Sequence, residues 1–265
     1  MIYLKTKEEI ELLRQSNLVV SKTLGYIASL LKVGVKTSFL DSEAEKFIRD
    51  HKGVPAFKGY RGFPSSLCIS VNDAVVHGIP SGYVLKDTDI VSIDCGVGLN
   101  GFVGDCAYTF AFKNVPSDVI ELLRITNRSL YIGIEKAVVG CRVGDIGYAI
   151  QDFVERKNPY GIVRELVGHG VGRSLHEEPD VPNFGLRGRG VALKEGMVLA
   201  IEPMATLGGR YVKQDADGWS ILTRDGKSSA HFEHSVAVGK DRADILSTHD
   251  FIIQSIKNNS EVVEI

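Results

Sequence analysis

The chain has 265 residues, is 44% hydrophobic and 24% charged, and carries a net charge of −2 at pH 7. That length gives room for one large domain or two small ones, and the balance is that of an ordinary globular protein. The charge gives no electrostatic case for nucleic acid or an anionic membrane. No run approaches the roughly 18 apolar residues of a spanning helix, and no signal-peptide core follows the N-terminus. The four cysteines, Cys68, Cys95, Cys106 and Cys141, form no CxxC pair. They read as free thiols of a reducing compartment, which makes the cytoplasm the expected location.

Taken in chain order, the first helix is expected over 6–31. Ile10, Leu13, Asn17, Val20 and Leu24 fall near helical spacing, Thr6 and Glu9 make a capping box, and Gly34 is the C-cap. Thr37 or Ser38 starts a second helix that runs to about residue 51. Strands follow at 67–71, 74–76, 90–95 and 101–111. A second helix pair is expected at 117–138 and 145–157, with Ser117 as N-cap after Pro116. Further strands are expected at 163–167, 197–202, 210–212, 219–223 and 230–238. The polar tail after about residue 250 reads as loosely held.

The two series are copies of one pattern. Ile10-Glu-Leu-Leu-Arg14 recurs as Ile120-Glu-Leu-Leu-Arg124, Lys32-Val-Gly34 as Arg142-Val-Gly144, and Phe47-Ile48 is answered by Phe153-Val154. Leu85-Lys-Asp-Thr-Asp-Ile-Val-Ser-Ile-Asp94 matches Leu193-Lys-Glu-Gly-Met-Val-Leu-Ala-Ile-Glu202. Paired helices followed by blocks of strands imply an α+β fold with an antiparallel sheet. The repeat implies one catalytic domain of two halves, about 5–115 and 116–250, related by a pseudo-twofold axis.

Asp94, Asp105, His169, Glu202 and Glu233 each lie in a short apolar, strand-like segment. Burying an unpaired carboxylate there costs several kcal/mol or forces it to take a proton. Taken singly, such an Asp is usually a turn residue and such a His a hydrogen-bonded structural one. Jointly they require more: Asp94 and Glu202 hold equivalent positions in the repeat, and Asp105 and Glu233 each lie on the strand that follows. Four carboxylates around one axis call for a large positive charge, most simply two divalent ions. One imidazole among them favours a transition metal over calcium. Two ions about 3.5 Å apart share a water and lower its pKa. His231 and His234 alternate with Glu233, and both are expected to stand outside the ligand set.

His77-Gly-Ile-Pro80, Asp94-x10-Asp105, Gly168-His-Gly-Val-Gly172, His176-Glu-Glu-Pro179, Ile201-Glu-Pro-Met204 and Glu233-His234 resemble the type I methionine aminopeptidases of the bacterial kind. The resemblance runs from about residue 3 to about residue 250. It implies the pita-bread fold with two metal ions at its centre, Co, Mn, Fe or Zn. Asp94, Asp105, His169, Glu202 and Glu233 would be the ligands, with Asp105 and Glu233 bridging. It gives His77 the scissile amide, His176 the carbonyl oxygen and oxyanion, and Glu202 the roles of general base and proton shuttle. A metal-bridged hydroxide would attack the methionine carbonyl.

The same resemblance makes Tyr60, Phe63, Cys68 and Trp219 the walls of a methionine pocket, with Phe57 and Leu175 beside them. Leu175 stands where an aromatic residue is frequent, and Phe57 where some members have a small or thiol residue. A monovalent-cation loop would lie near Asn72 and Ser229. The implied reaction removes the initiator methionine from nascent polypeptides whose second residue is small and uncharged. The expected protein is a monomer in transient contact with the ribosome, with no nucleic-acid sequence to read. Two rivals share the fold: a prolidase or aminopeptidase P, whose extra N-terminal domain 265 residues leave no room for, and a binding module that has lost its ligands. Type II methionine aminopeptidases carry a long insertion in the second half that is not found here.

Overall fold

The computed structural model describes residues 1–265. Helix α1 (Lys7–Leu30) starts at a capping box: the Thr6 hydroxyl accepts from the Glu9 N–H at 3.2 Å, and the Glu9 carboxylate accepts from the Thr6 N–H at 3.0 Å. Helix α2 (Thr37–Asp50) packs beside it. The pair returns as α3 (Ser117–Ile134) and α4 (Val143–Gln151), the latter running into a π turn at Asp152–Arg156. Pro116, not Ser117, is the N-cap of α3, and the Asp118 carboxylate accepts from the Val119 N–H of the first turn at 3.0 Å. Gly34, with φ +88°, serves the turn beyond the helix, whose C-cap is Leu31.

Every strand pairing is antiparallel. The expected central sheet is divided into two five-stranded sheets, and two three-stranded sheets stand beside them, one containing Gly161–Ile162. One of the five-stranded pair is built on the long hairpin Ile90–Leu99 with Phe102–Phe112; Leu67–Val71 lies on its outer side. The other orders Asp244–Ile245, His234–Ala237, Val198–Ile201, Gly168–Gly170 and Glu177–Val181. The two sheets are stitched where 105–109 meets 231–235. The Glu233 N–H donates to Ala107 O at 3.0 Å, the Thr109 hydroxyl donates to His231 O at 2.7 Å, and the Ser235 hydroxyl donates to Asp105 O at 2.8 Å. The principal core draws on both halves and on all five helices, from Val19 to Val262.

Three expectations are corrected. No strand covers 163–167; pairing there is confined to Gly161–Ile162 and Gly168–Gly170, because the intervening residues carry the chain between two sheets. Glu177–Val181, too polar to read as a strand, is one. The tail is not loose: α5 (Asp250–Lys257) buries Ile252 and Ile256, and Val262–Val263 pairs with Ala111 and Phe112.

Candidate metal centre and its cavity

Register sets the first carboxylates. Asp94 opposes Ala107 and Asp105 opposes Gly96, so both acids stand on one face of the hairpin, diagonal to one another. Asn17 of α1 fixes the second: its amide N–H donates to Leu13 O at 3.0 Å while its carbonyl oxygen accepts from the Asp105 N–H at 3.2 Å. Glu202 follows the strand Val198–Ile201, and its own carbonyl accepts from the Asn183 amide at 2.9 Å. Glu233 lies in the break between the strands Ser229–His231 and His234–Ala237, where its N–H reaches across to Ala107.

All five expected ligands line one cavity of about 170 Å³. His169 Nε2 is 3.6 Å from Glu202 Oε1 and 3.8 Å from Asp105 Oδ2. His169 Nδ1 lies 2.9 Å from the Gly170 carbonyl oxygen, which can only accept, so Nδ1 carries the proton. Burial depresses the His169 pKa to about 4, so at neutral pH Nε2 is a bare lone pair facing carboxylates. Asp94 Oδ1, Asp105 Oδ1 and Glu233 Oε1 are buried with no hydrogen-bond partner. Burial pushes Asp94 up to about 7, aided by the Glu202 charge and opposed by His231. It pushes Glu202 up to about 8. Asp105 and Glu233 are raised well above the carboxylate range by burial and then by the neighbouring acids.

Orphaned carboxylate oxygens and a lone pair turned toward them are unfavourable unless cations lie among them. The donor set, four carboxylates and one imidazole whose other nitrogen is bonded to a carbonyl, fits divalent transition metals.

The rest of the cavity is apolar. Phe57, Phe63, Cys68 and Leu175 form a buried cluster against which Tyr60 and Trp219 pack. Trp219 meets Phe63 edge-on, with ring centroids 5.2 Å apart. Cys68 stands opposite Asp94 in the sheet, and burial holds its thiol well above its ordinary pKa. Gly96 is open for the Phe57 ring, since a Cβ there would sit 2.5 Å from Phe57 Cε1.

His77 and His176 also line the cavity. His77 is held with φ +60° in a turn where Gly78 lies flat on Ile69; a Cβ on Gly78 would meet Ile69 O at 2.3 Å. His176 stands at the exposed mouth, its Nδ1 2.8 Å from the Tyr60 hydroxyl and its ring 4.2 Å from that of His169. Burial lowers His77 to about 4. Partial burial at the mouth lowers His176 to about 3, helped by His169, Arg61 and His77, so both rings are neutral at pH 7.

Of three neighbours, His231 and His234 are those expected outside the ligand set, and Arg61 alone escapes sequence reasoning. His231 is buried with Nε2 3.5 Å from Glu202 Oε2; the break at Phe232–Glu233 upsets the simple alternation. His234 faces away, bonded to Ser247 and Tyr131 and near Cys106. Arg61 reaches the cavity from an exposed turn, and nothing in the sequence distinguishes it from any surface arginine. Asn72 and Ser229 are brought together: the Ser229 N–H donates to Asn72 O at 2.9 Å.

The profile of metallopeptidase family M24 matches residues 11–240. A methionine aminopeptidase of Clostridium perfringens is 51% identical, the alignment covering 93% of this chain and 99% of that protein. Methionine aminopeptidase 1 of Bacillus subtilis is 47% identical, with the same coverage of each. The crystal structure of the Thermotoga maritima methionine aminopeptidase superposes with a TM-score of 0.91 at 38% identity, over 94% of this chain and all of that one. A prolidase from Pyrococcus furiosus, 22% identical, shares the pita-bread fold at a TM-score of 0.74, over 92% of this chain and 65% of the prolidase. With the family profile spanning most of the chain and such relatives matched end to end, the protein belongs to metallopeptidase family M24 and, within it, to the methionine aminopeptidases.

Proposed function

We propose that this chain hydrolyses the bond after the N-terminal methionine of nascent polypeptides whose second residue is small. The observation that carries the reading is the set of buried, partnerless carboxylate oxygens facing the His169 lone pair beside an apolar cavity. Asp94, Asp105, His169, Glu202 and Glu233 would hold two divalent ions. Mn, Fe, Co or Zn suit such donors, and cellular supply selects among them. When bound, the ions polarise the scissile carbonyl and lower the pKa of a water.

The chain's own groups do the rest. Phe57, Tyr60, Phe63, Cys68, Leu175 and Trp219 take the methionine side chain and exclude water. Glu202 would take a proton from the attacking water and return it to the leaving amine. His176 is engaged by the Tyr60 hydroxyl at Nδ1, which leaves Nε2 for the substrate; in the tautomer with its proton there, Nε2–H would donate to the carbonyl oxygen as its charge grows. His77 bonds the scissile amide. The setting is the cytoplasm, in transient contact with the ribosome, by a chain whose helices are none long and apolar enough to cross a membrane. Asn72 and Ser229 would hold a monovalent cation.

Release of methionine from Met-Ala-Ser, against release from Xaa-Pro peptides, with and without a chelator, tests the reading. Cleavage of the Xaa-Pro set alone favours the prolidase rival.

A further inference from the structure

We propose that Arg61 selects the substrate chain beyond the scissile bond, favouring an acidic side chain at the third or fourth residue. The inference rests on the aminopeptidase reading above and extends it to residues that the apolar cavity does not hold.

Among the side chains lining the cavity, Arg61 is the only lysine or arginine. It makes no ion pair and no side-chain hydrogen bond, although the chain has 33 acidic residues. Its backbone is held in the left-handed region, φ 49° and ψ 23°, between Gly59 at φ +85° and Gly62 at φ +91°. The turn is pinned by Gly59 N–H to Phe63 O at 2.8 Å and Phe63 N–H to Tyr60 O at 2.9 Å. A non-glycine residue kept in that conformation is a signature of functional loops.

Position gives the direction. The Arg61 guanidinium carbon lies 5.4 Å from the centre of the Tyr60 ring, whose hydroxyl bonds His176. The apolar wall receives the first side chain, and the remainder of a polypeptide must leave through the mouth, where both Arg61 and His176 are exposed. A free guanidinium stacked on an aromatic ring presents its donor fork to a carboxylate. Exposure keeps the preference modest, about three- to tenfold, and sensitive to salt.

The test compares kcat/KM for methionine release from Met-Ala-Xaa-Ser and Met-Ala-Ser-Xaa peptides with Xaa as Glu, Gln or Lys. The wild-type order should be Glu, Gln, Lys in at least one register, with the ratio shrinking as salt is raised. Arg61→Gln should flatten the order and Arg61→Glu should invert it. Equal rates for all Xaa in the wild type, or an unchanged order in both variants, would overturn the inference and leave the aminopeptidase reading standing. If no peptide of any sequence lost its methionine, both would fall together.

Discussion

The hydroxyl of Tyr60 lies 2.8 Å from Nδ1 of His176, and this contact fixes which nitrogen of the histidine faces the substrate. When the hydroxyl donates to Nδ1, the neutral ring carries its proton on Nε2 and can donate it to the substrate. Tyr60 is therefore both a wall of the apolar cavity and the group that orients the His176 ring.

Tyr60→Phe keeps the wall and removes the hydroxyl. Loss of one neutral hydrogen bond is worth about 1 kcal/mol, or about fivefold. The decrease should fall on kcat more than on KM, because the donor acts on developing charge. Steady-state kinetics on Met-Ala-Ser would show it; an increase confined to KM would assign Tyr60 to the wall alone.

Lys5 Nζ and Glu177 Oε2 form a 2.6 Å ion pair whose side chains are 5% and 8% exposed. Glu177 also accepts from the Ser174 N–H at 3.2 Å, so the pair ties the N-terminal segment to the loop bearing His176. Lys5→Met strands a buried carboxylate and should cost about 3–5 kcal/mol. The double variant Lys5→Met, Glu177→Gln should recover most of that. Denaturant titration measures both; additive losses would contradict the pairing.

The acids make stability depend on pH and on metal. Folding raises Asp94 from its ordinary 3.8 to about 7 and Glu202 from 4.5 to about 8, first through burial. The metal-free folded state therefore binds more protons than the unfolded chain. Its contribution from these groups is fully present below the unfolded pKa values and is lost as pH rises through about 7 to 8. Bound cations reverse this, because they compete with protons for the same oxygens. Chelator-treated protein should thus melt lower at pH 8 than at pH 5.5. Restored divalent ions should raise the melting temperature more at pH 8. Equal metal-induced shifts at both values would count against the carboxylates as ligands.

Gly104 lies against the backbone of α1, where a Cβ would come within 2.5 Å of Asn17 N. Gly104→Ala must push the helix off the strand, disturbing the Asn17 contact that holds the Asp105 N–H. Overpacking of this kind costs about 1–3 kcal/mol. Weaker metal binding should accompany it in calorimetry, whereas a loss of stability with metal affinity intact would separate the helix contact from the site.

The duplicated helix pairs, the long hairpin and the apolar settings of Asp94 and Asp105 were legible because each is a local pattern. Asn17 sat at a helical core position and was counted among apolar residues; its bond to the Asp105 N–H depends on a hairpin 88 residues away. Glu177–Val181 hid as a strand because its alternate residues face water. The tail looked loose because its two anchoring isoleucines are few and its strand is two residues long. Local polarity cannot report a partner supplied by the opposite half of the chain.

The most direct test is the divalent-metal content and methionine release of the wild type and of Asp105→Ala, measured on the same folded preparations. Two ions per chain and release from Met-Ala-Ser in the wild type, with both lost in the variant, is the expected result. An Asp105→Ala protein that still released methionine at the wild-type rate would contradict the account.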